Sequence, residues 1–258
     1  MNKRFFTVRT IAGLGVLTAM VVVLQLLSNY VQFGPVSITL SLFPIAVGAM
    51  LYGPLGGLFL GLVNGAIVLT APSTISFFFA YSPVGTIAVC LLKTGLAGFI
   101  AGLIFKLYKK DVKAEFVAAI ILLPFLILAS TDKIFTGLLA NLSWGNVLVI
   151  IIRLFLVLGF MALVIKGLVK PTKNSVILLT SLSVPVINTF LFCVAAVSIF
   201  SGKILPMANA AGQNIVYFLI FGFIGWNFFL EFGLNALLAS AFHNTYKSIE
   251  NNFSRKGK

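Results

Sequence analysis

Three ionisable side chains stand inside apolar runs of bilayer-crossing length: Lys93 in Cys90-Leu-Leu-Lys-Thr94, Arg153, and Glu231 in Trp226-Asn227-Phe-Phe-Leu-Glu231-Phe-Gly-Leu-Asn235. Each costs about 2.5 to 3.5 kcal/mol at the centre of an inserting helix, so each needs a partner or a purpose. Asn227, Glu231 and Asn235 are spaced i, i+4, i+8, which aligns three polar side chains on one helix stripe that must face protein or water. Together with Asn188 of Pro185-Val-Ile-Asn-Thr189, and with Lys93 and Thr94, that stripe can line a polar cavity in which amides donate and accept hydrogen bonds to a solute. It can equally be glue between helices, with Lys93 and Glu231 joined as an ion pair that cancels the burial cost. Arg153 is expected to snorkel or to bind a neighbouring helix.

Enzymatic chemistry has little to work with. The one histidine, His243, is expected to cap the end of the last span. Cys90 and Cys193 sit apart in apolar runs and suggest neither a disulfide nor a metal site. There is no phosphate-cradling glycine loop followed by Lys and Ser or Thr, and no paired histidines, so any ATP hydrolysis falls to another chain. No cofactor is expected.

The composition says where these residues live. Of 258 residues, 60% are hydrophobic and 9% charged, with 26 phenylalanines and five acids. No water-soluble or disordered fold suits that balance. The net charge of +13 does not mark a nucleic-acid binder, because the basic residues punctuate the apolar runs and form no stripe. An integral membrane protein is expected, all α-helical, since the runs lack the alternation of barrel strands.

About eight spans are expected, approximately Phe6 to Ser28, Thr39 to Tyr52, Pro54 to Leu69, Val84 to Leu107, Phe116 to Ala140, Val147 to Leu168, Val176 to Phe200 and Asn214 to Phe242. The first, despite Lys3 and Arg4 before it, is read as a retained helix and not a signal peptide. Gly34-Pro35, Gly53-Pro54, Pro72 and Pro83 punctuate the early spans. Lys3, Arg4, Arg9, Lys106, Lys109, Lys110, Lys113, Lys166, Lys170, Lys173, Lys247, Arg255, Lys256 and Lys258 all fall on one side of an even-numbered topology. The positive-inside rule then places both termini in the cytoplasm. Outside lie Tyr30 to Ile38, the Pro72 to Pro83 connector, the loop around Trp144, and a long Ser201 to Gln213 loop. The run Phe77, Phe78, Phe79, Tyr81 can stack on a ring or anchor the interface.

The first helix carries Ala12, Gly15 and Ala19, whose small side chains let another backbone approach, by default one from this chain. Gly48, Gly53, Gly56, Gly57, Gly61 and Gly65 mark similarly tight packing of the second and third helices. The order of motifs resembles the substrate-binding S component of an energy-coupling factor (ECF) vitamin transporter, and is most similar to predicted pantothenate-type subunits. Four stretches carry the likeness: the small-residue first helix; Ile38 to Pro54 running into a glycine-rich helix; Pro83-Val-Gly-Thr86 leading to Leu92-Lys-Thr-Gly-Leu-Ala-Gly-Phe-Ile-Ala-Gly102; and Pro185 to Thr189 with Asn227 to Asn235.

The resemblance implies a single membrane domain over 1–258, with a six-helix core over 7–108 and 174–246. Such subunits are usually shorter, so 114–170 reads as an inserted two-helix hairpin. It further implies a vitamin of the pantothenate, riboflavin or folate class bound near the outer side by Lys93, Thr94, Asn188, Asn227 and Glu231. Ala12, Gly15 and Ala19 would dock on a transmembrane coupling subunit driven by two ATPases. A carboxylate on Lys93 would suit pantothenate. The alternatives are a membrane-embedded enzyme using Lys93 and Glu231 as acid and base, and a structural membrane subunit without a small-molecule ligand.

Overall fold

The computed structural model describes residues 7–33, 36–108, 173–213, 215, 218–219, 224, 227–228 and 230–239. The hairpin expected at 114–170, with Trp144 and Arg153, and the terminal His243 lie outside the described residues. Four helical stretches, Val8–Ser28, Leu42–Val68, Pro83–Leu107 and Val176–Ser198, have the length and apolar composition of membrane spans, the second of them only as two arms joined at Gly53. The protein is a multi-helix membrane protein.

Helix α1 (Val8–Ser28) begins where the Thr7 hydroxyl accepts the Thr10 amide at 3.2 Å. It buries Leu14, Leu17, Val21, Gln25 and Ser28 on one face and leaves Ile11, Val16 and Val23 exposed on the other. A two-residue hairpin follows, β1 (Gln32–Phe33) pairing antiparallel with β2 (Val36–Ser37).

Helix α2 (Leu42–Val68) is broken at Gly53, whose φ of 76° and ψ of −168° end one helical arm before Pro54 opens the next. In an unbroken helix twelve residues span about 18 Å. Yet a Cβ placed on Gly48 would run into Leu60, and one on Gly57 would meet the Ala49 Cβ at 2.8 Å. The chain therefore folds back on itself, and residues 42–52 and 54–68 are the two arms of a helical hairpin. They correspond to the second and third helices read from the sequence. Neither arm is long enough to cross a hydrocarbon core of roughly 30 Å unaided; the first is largely buried in protein, and the second buries one face while Leu55, Phe59 and Leu62 are exposed on the other.

A π-helical turn (Thr74–Phe79) occupies the connector, closed by the Ala80 amide donating to the Ile75 carbonyl at 3.2 Å. Helix α3 (Pro83–Tyr108) then packs antiparallel on the second arm of α2. Gly57, Gly61 and Gly65 lie directly against the backbone at Gly98, Thr94 and Cys90, so a stripe of glycines four residues apart brings two helix backbones into contact. Any Cβ there would overlap a carbonyl.

Helix α4 (Lys173–Ser198) packs on α3 and α2, and a short apolar helix α6 (Leu230–Ala239) is the longest described stretch of the span expected over Asn214 to Phe242. The stretch expected as a long loop, Ser201 to Gln213, instead holds helix α5 (Ser201–Ala210). Its Ile204 and Ala208, one turn apart, are buried, with Ile204 in the cluster around Phe78, Phe192 and Phe200, and that burial outweighs the glycine and proline that suggest a loop. Because the α2 turn at Gly53 and Pro54 abuts Gly102 of α3, connectors 29–41, 69–82 and 199–213 gather at the opposite end of the bundle.

Candidate functional site

A cavity opens at that end. Its space for water-sized molecules is about 30 Å³, within a recess of about 450 Å³ that includes open solvent, between Ser37, Thr39, Val68, Ser73, Thr74, Phe78, Thr86, Val89, Cys90, Lys93, Phe192 and Phe200. Among the described residues the lining offers five hydroxyls, three phenyl rings, one cation and no acid. The cavity is narrow, with room for roughly two or three waters.

Lys93 sits ten residues, about 15 Å, along α3 from its start. It is 92% buried, being 8% exposed. Its Nζ lies 5.4 Å from the centre of the Phe192 ring, a cation–π contact, and no hydrogen-bond acceptor reaches it among the described residues. Phe192 in turn meets Phe78 edge to face at 5.8 Å, and Phe78 meets Phe200 at 5.0 Å. The run from Phe77 to Tyr81 is thus divided: Phe78 is a cavity wall, while Phe79 and Tyr81 are exposed.

The walls are held from behind. Glu231 Oε1 of α6 accepts the backbone amide of Thr39 at 2.7 Å, and the Ser28 hydroxyl accepts the Leu40 amide at 3.1 Å. Lys203 of α5 donates to the Phe77 carbonyl at 2.7 Å and lies 4.3 Å from the centre of the Phe77 ring, pinning the π-helical turn. Deeper between α1 and the two arms of α2 is a buried cluster that sequence reasoning missed. Gln25 Nε2 donates to Asn29 Oδ1 at 3.0 Å, and Ser41 reaches both Gln25 Oε1 at 2.9 Å and the Asn64 amide. Ser41 has one proton to give. An Asn64 amide turned over, so that Nδ2 donates to Ser41, satisfies both the hydroxyl and an Nδ2 that otherwise has no partner among the described residues.

Of the five residues expected to meet a solute, all are buried, and Lys93 alone lines the cavity. Lys93 and Glu231 are close enough for their charges to interact but make no ion pair; each has the separate contact just given. Thr94 donates to the carbonyls of Gly61 at 2.7 Å and Cys90 at 3.0 Å, stitching α3 to α2. The polar stripe of the last span faces protein: Asn227, Glu231 and Asn235 are all buried, and Asn235 Nδ2 donates to the Glu231 carbonyl while Ser181 of α4 approaches its oxygens at 3.3 Å. Asn188 Oδ1 is buried with no hydrogen-bond partner among the described residues.

On α1, Ala12, Gly15 and Ala19 are exposed, and a Cβ on Gly15 would meet nothing within 4 Å among the described residues. Packing within the described chain therefore does not account for that small face. Gly13, by contrast, is filled by the Tyr52 hydroxyl. The segments Tyr30 to Ile38 and Pro72 to Pro83, expected from the resemblance to close the cavity, supply Ser37, Ser73, Thr74 and Phe78 to its wall, whereas Thr39, Thr86, Phe192 and Phe200 were not foreseen there. Among the described residues no group of three His, Cys, Asp or Glu is placed to hold a metal ion.

No curated protein and no solved structure matches the chain. A family model described as "ECF transporter, substrate-specific component" matches residues 9–131, just under half of the chain. The match takes in α1 with Ala12, Gly15 and Ala19, the α2 hairpin, the π-helical turn and α3 with Lys93 and Thr94, and stops short of Asn188, Asn227 and Glu231. The stretch that builds the open small-residue face and most of the cavity wall is similar to the substrate-specific component of an ECF transporter.

Proposed function

We propose that the chain is the substrate-binding membrane subunit of an ECF-type vitamin importer, with both termini in the cytoplasm and the cavity facing outward. The observation that carries this reading is the solvent-open cavity, floored by Lys93, at the end of the bundle to which the Lys and Arg distribution assigns the outside. The family match over 9–131 agrees with it. The solute is a vitamin of the pantothenate, riboflavin or folate class, with the pantothenate type favoured by the motif order.

Lys93 is the residue that meets it. Glu231 acts one step removed by holding Thr39, and Thr94 keeps α3 seated on α2. Asn188 and Asn227 complete the site from α4 and the last span once the cavity widens. Its narrowness means that the connectors at 29–41 and 69–82 must part to admit a vitamin and close behind it. Ala12, Gly15 and Ala19 present the face on which a transmembrane coupling subunit docks, and two ATPase subunits drive the cycle.

The test is uptake into vesicles that contain the chain, a coupling subunit and both ATPases. ATP-dependent accumulation of one of the three vitamins, lost when the chain is left out, supports the proposal. Equal accumulation without the chain overturns it.

A further inference from the structure

Lys93 is the one charged group that the cavity lining presents. Burying an ammonium is unfavourable unless acceptors replace the lost water, yet its hydrogen-bonding capacity goes unused by the described residues and its contact is a phenyl face. A structural lysine of this kind would be expected to take the nearest carboxylate. Glu231 is the candidate: its Oε1 accepts the Thr39 amide, and although its charge is near enough to interact with Lys93 the two make no ion pair. The ammonium is left beside Phe192 in a cavity that hydroxyl groups also line.

We infer that the transported solute is a monocarboxylate, its carboxylate seated on Lys93 and its body lying along the wall formed by the touching phenyl rings of Phe78 and Phe192, toward the hydroxyls of Ser73 and Thr74. This rests on the reading that the cavity receives the transported solute, and it narrows that reading to one charge class. Among the described residues the lining holds one cation and no second one, which matches a single negative charge. A second carboxylate would find hydroxyls but no second cation among the described lining residues, so its charge would go unneutralised there. Among the vitamins named above, the uncharged riboflavin and the dicarboxylate folate fit less well than pantothenate.

The experiment compares carboxylates with their neutral counterparts on the purified full-length chain in detergent. The probes are pantothenate against panthenol and nicotinate against nicotinamide, with riboflavin, folate, chloride and inorganic phosphate as controls, and the readout is equilibrium binding supported by thermal stabilisation. One of the two monocarboxylates is expected to bind, with its neutral partner roughly 10- to 100-fold weaker. In Lys93→Met the two should bind alike, and Lys93→Arg should restore the preference for the carboxylate. The comparison on the unmodified chain stands even if Lys93→Met fails to fold.

Tight binding of riboflavin, or of a monocarboxylate and its neutral partner equally, would overturn the charge assignment and leave vitamin capture standing. Folate binding best would do the same. Displacement of the bound monocarboxylate by chloride or phosphate alone at comparable concentration would show a generic anion site and overturn it as well. Binding of no probe at all would count against both the charge assignment and the proposed function.

Discussion

The backbone amide of Thr39, in the connector after the β-hairpin, donates to Glu231 Oε1 on α6 at 2.7 Å, across 192 residues of sequence. The bond fastens a wall of the cavity to the last described helix. Replacing Glu231 by Gln keeps an oxygen acceptor, whereas Glu231→Ala strands a buried N–H. Glu231→Ala should therefore lose about 1 to 3 kcal/mol of stability, and Glu231→Gln distinctly less. Thermal unfolding in detergent measures both, and equal losses would mean that the carboxylate's charge, and not its acceptor oxygen, is what the fold uses.

The glycine stripe on the second arm of α2 should be intolerant of side chains. Gly61→Ala puts a methyl group against the Thr94 backbone, which cannot retreat as a side chain can. A loss of about 3 kcal/mol or more, seen as collapse of folded yield, is expected. Gly15→Leu on the open face of α1 should leave yield and melting temperature unchanged. A Gly61→Ala chain as stable as the parent would contradict the close backbone contact.

That same open face supplies a functional prediction. Gly15→Leu combined with Ala19→Leu adds bulk where a partner helix would approach and leaves the cavity untouched. Solute binding by the isolated chain should persist while ATP-driven uptake by the full transporter is abolished. Normal uptake would remove this face as the docking surface.

The buried cluster of Gln25, Asn29, Ser41 and Asn64 should be structural. Ser41→Ala leaves Gln25 Oε1 and the Asn64 amide without a shared partner and should cost about 1 to 3 kcal/mol. Ser198→Ala, which removes a hydroxyl that donates to the Val194 carbonyl at an exposed site, should change stability by less than about 0.5 kcal/mol. Melting curves of the two variants side by side decide the matter, and similar values would deny the cluster its role.

The parts of this fold that repeat at a fixed spacing were readable in the sequence. Gly53-Pro54 marks the break between two helical arms, glycines four residues apart mark where α2 touches α3, and Asn227, Glu231 and Asn235 share a stripe that proves to be buried. What depends on pairing distant residues was not readable. Thr94 looks like a ligand beside Lys93 until the Gly61 carbonyl is seen opposite it. Gln25, Ser41 and Asn64 are single polar residues in separate apolar runs, and only the fold-back at Gly53 and the packing of α1 on the hairpin bring them together. The ten residues of α5 are too few to register as a span, and the buried spacing of Ile204 and Ala208 competes with a Pro and a Gly that signal a loop.

The most direct measurement of solute capture is native mass spectrometry of the chain released from membranes, first as isolated and then with pantothenate, riboflavin or folate added in excess. One small molecule per chain is expected, retained by Gly15→Leu with Ala19→Leu and lost or weakened by Lys93→Met. The bare mass of the chain under every condition, from a protein that is folded and monodisperse, would contradict a solute-binding role.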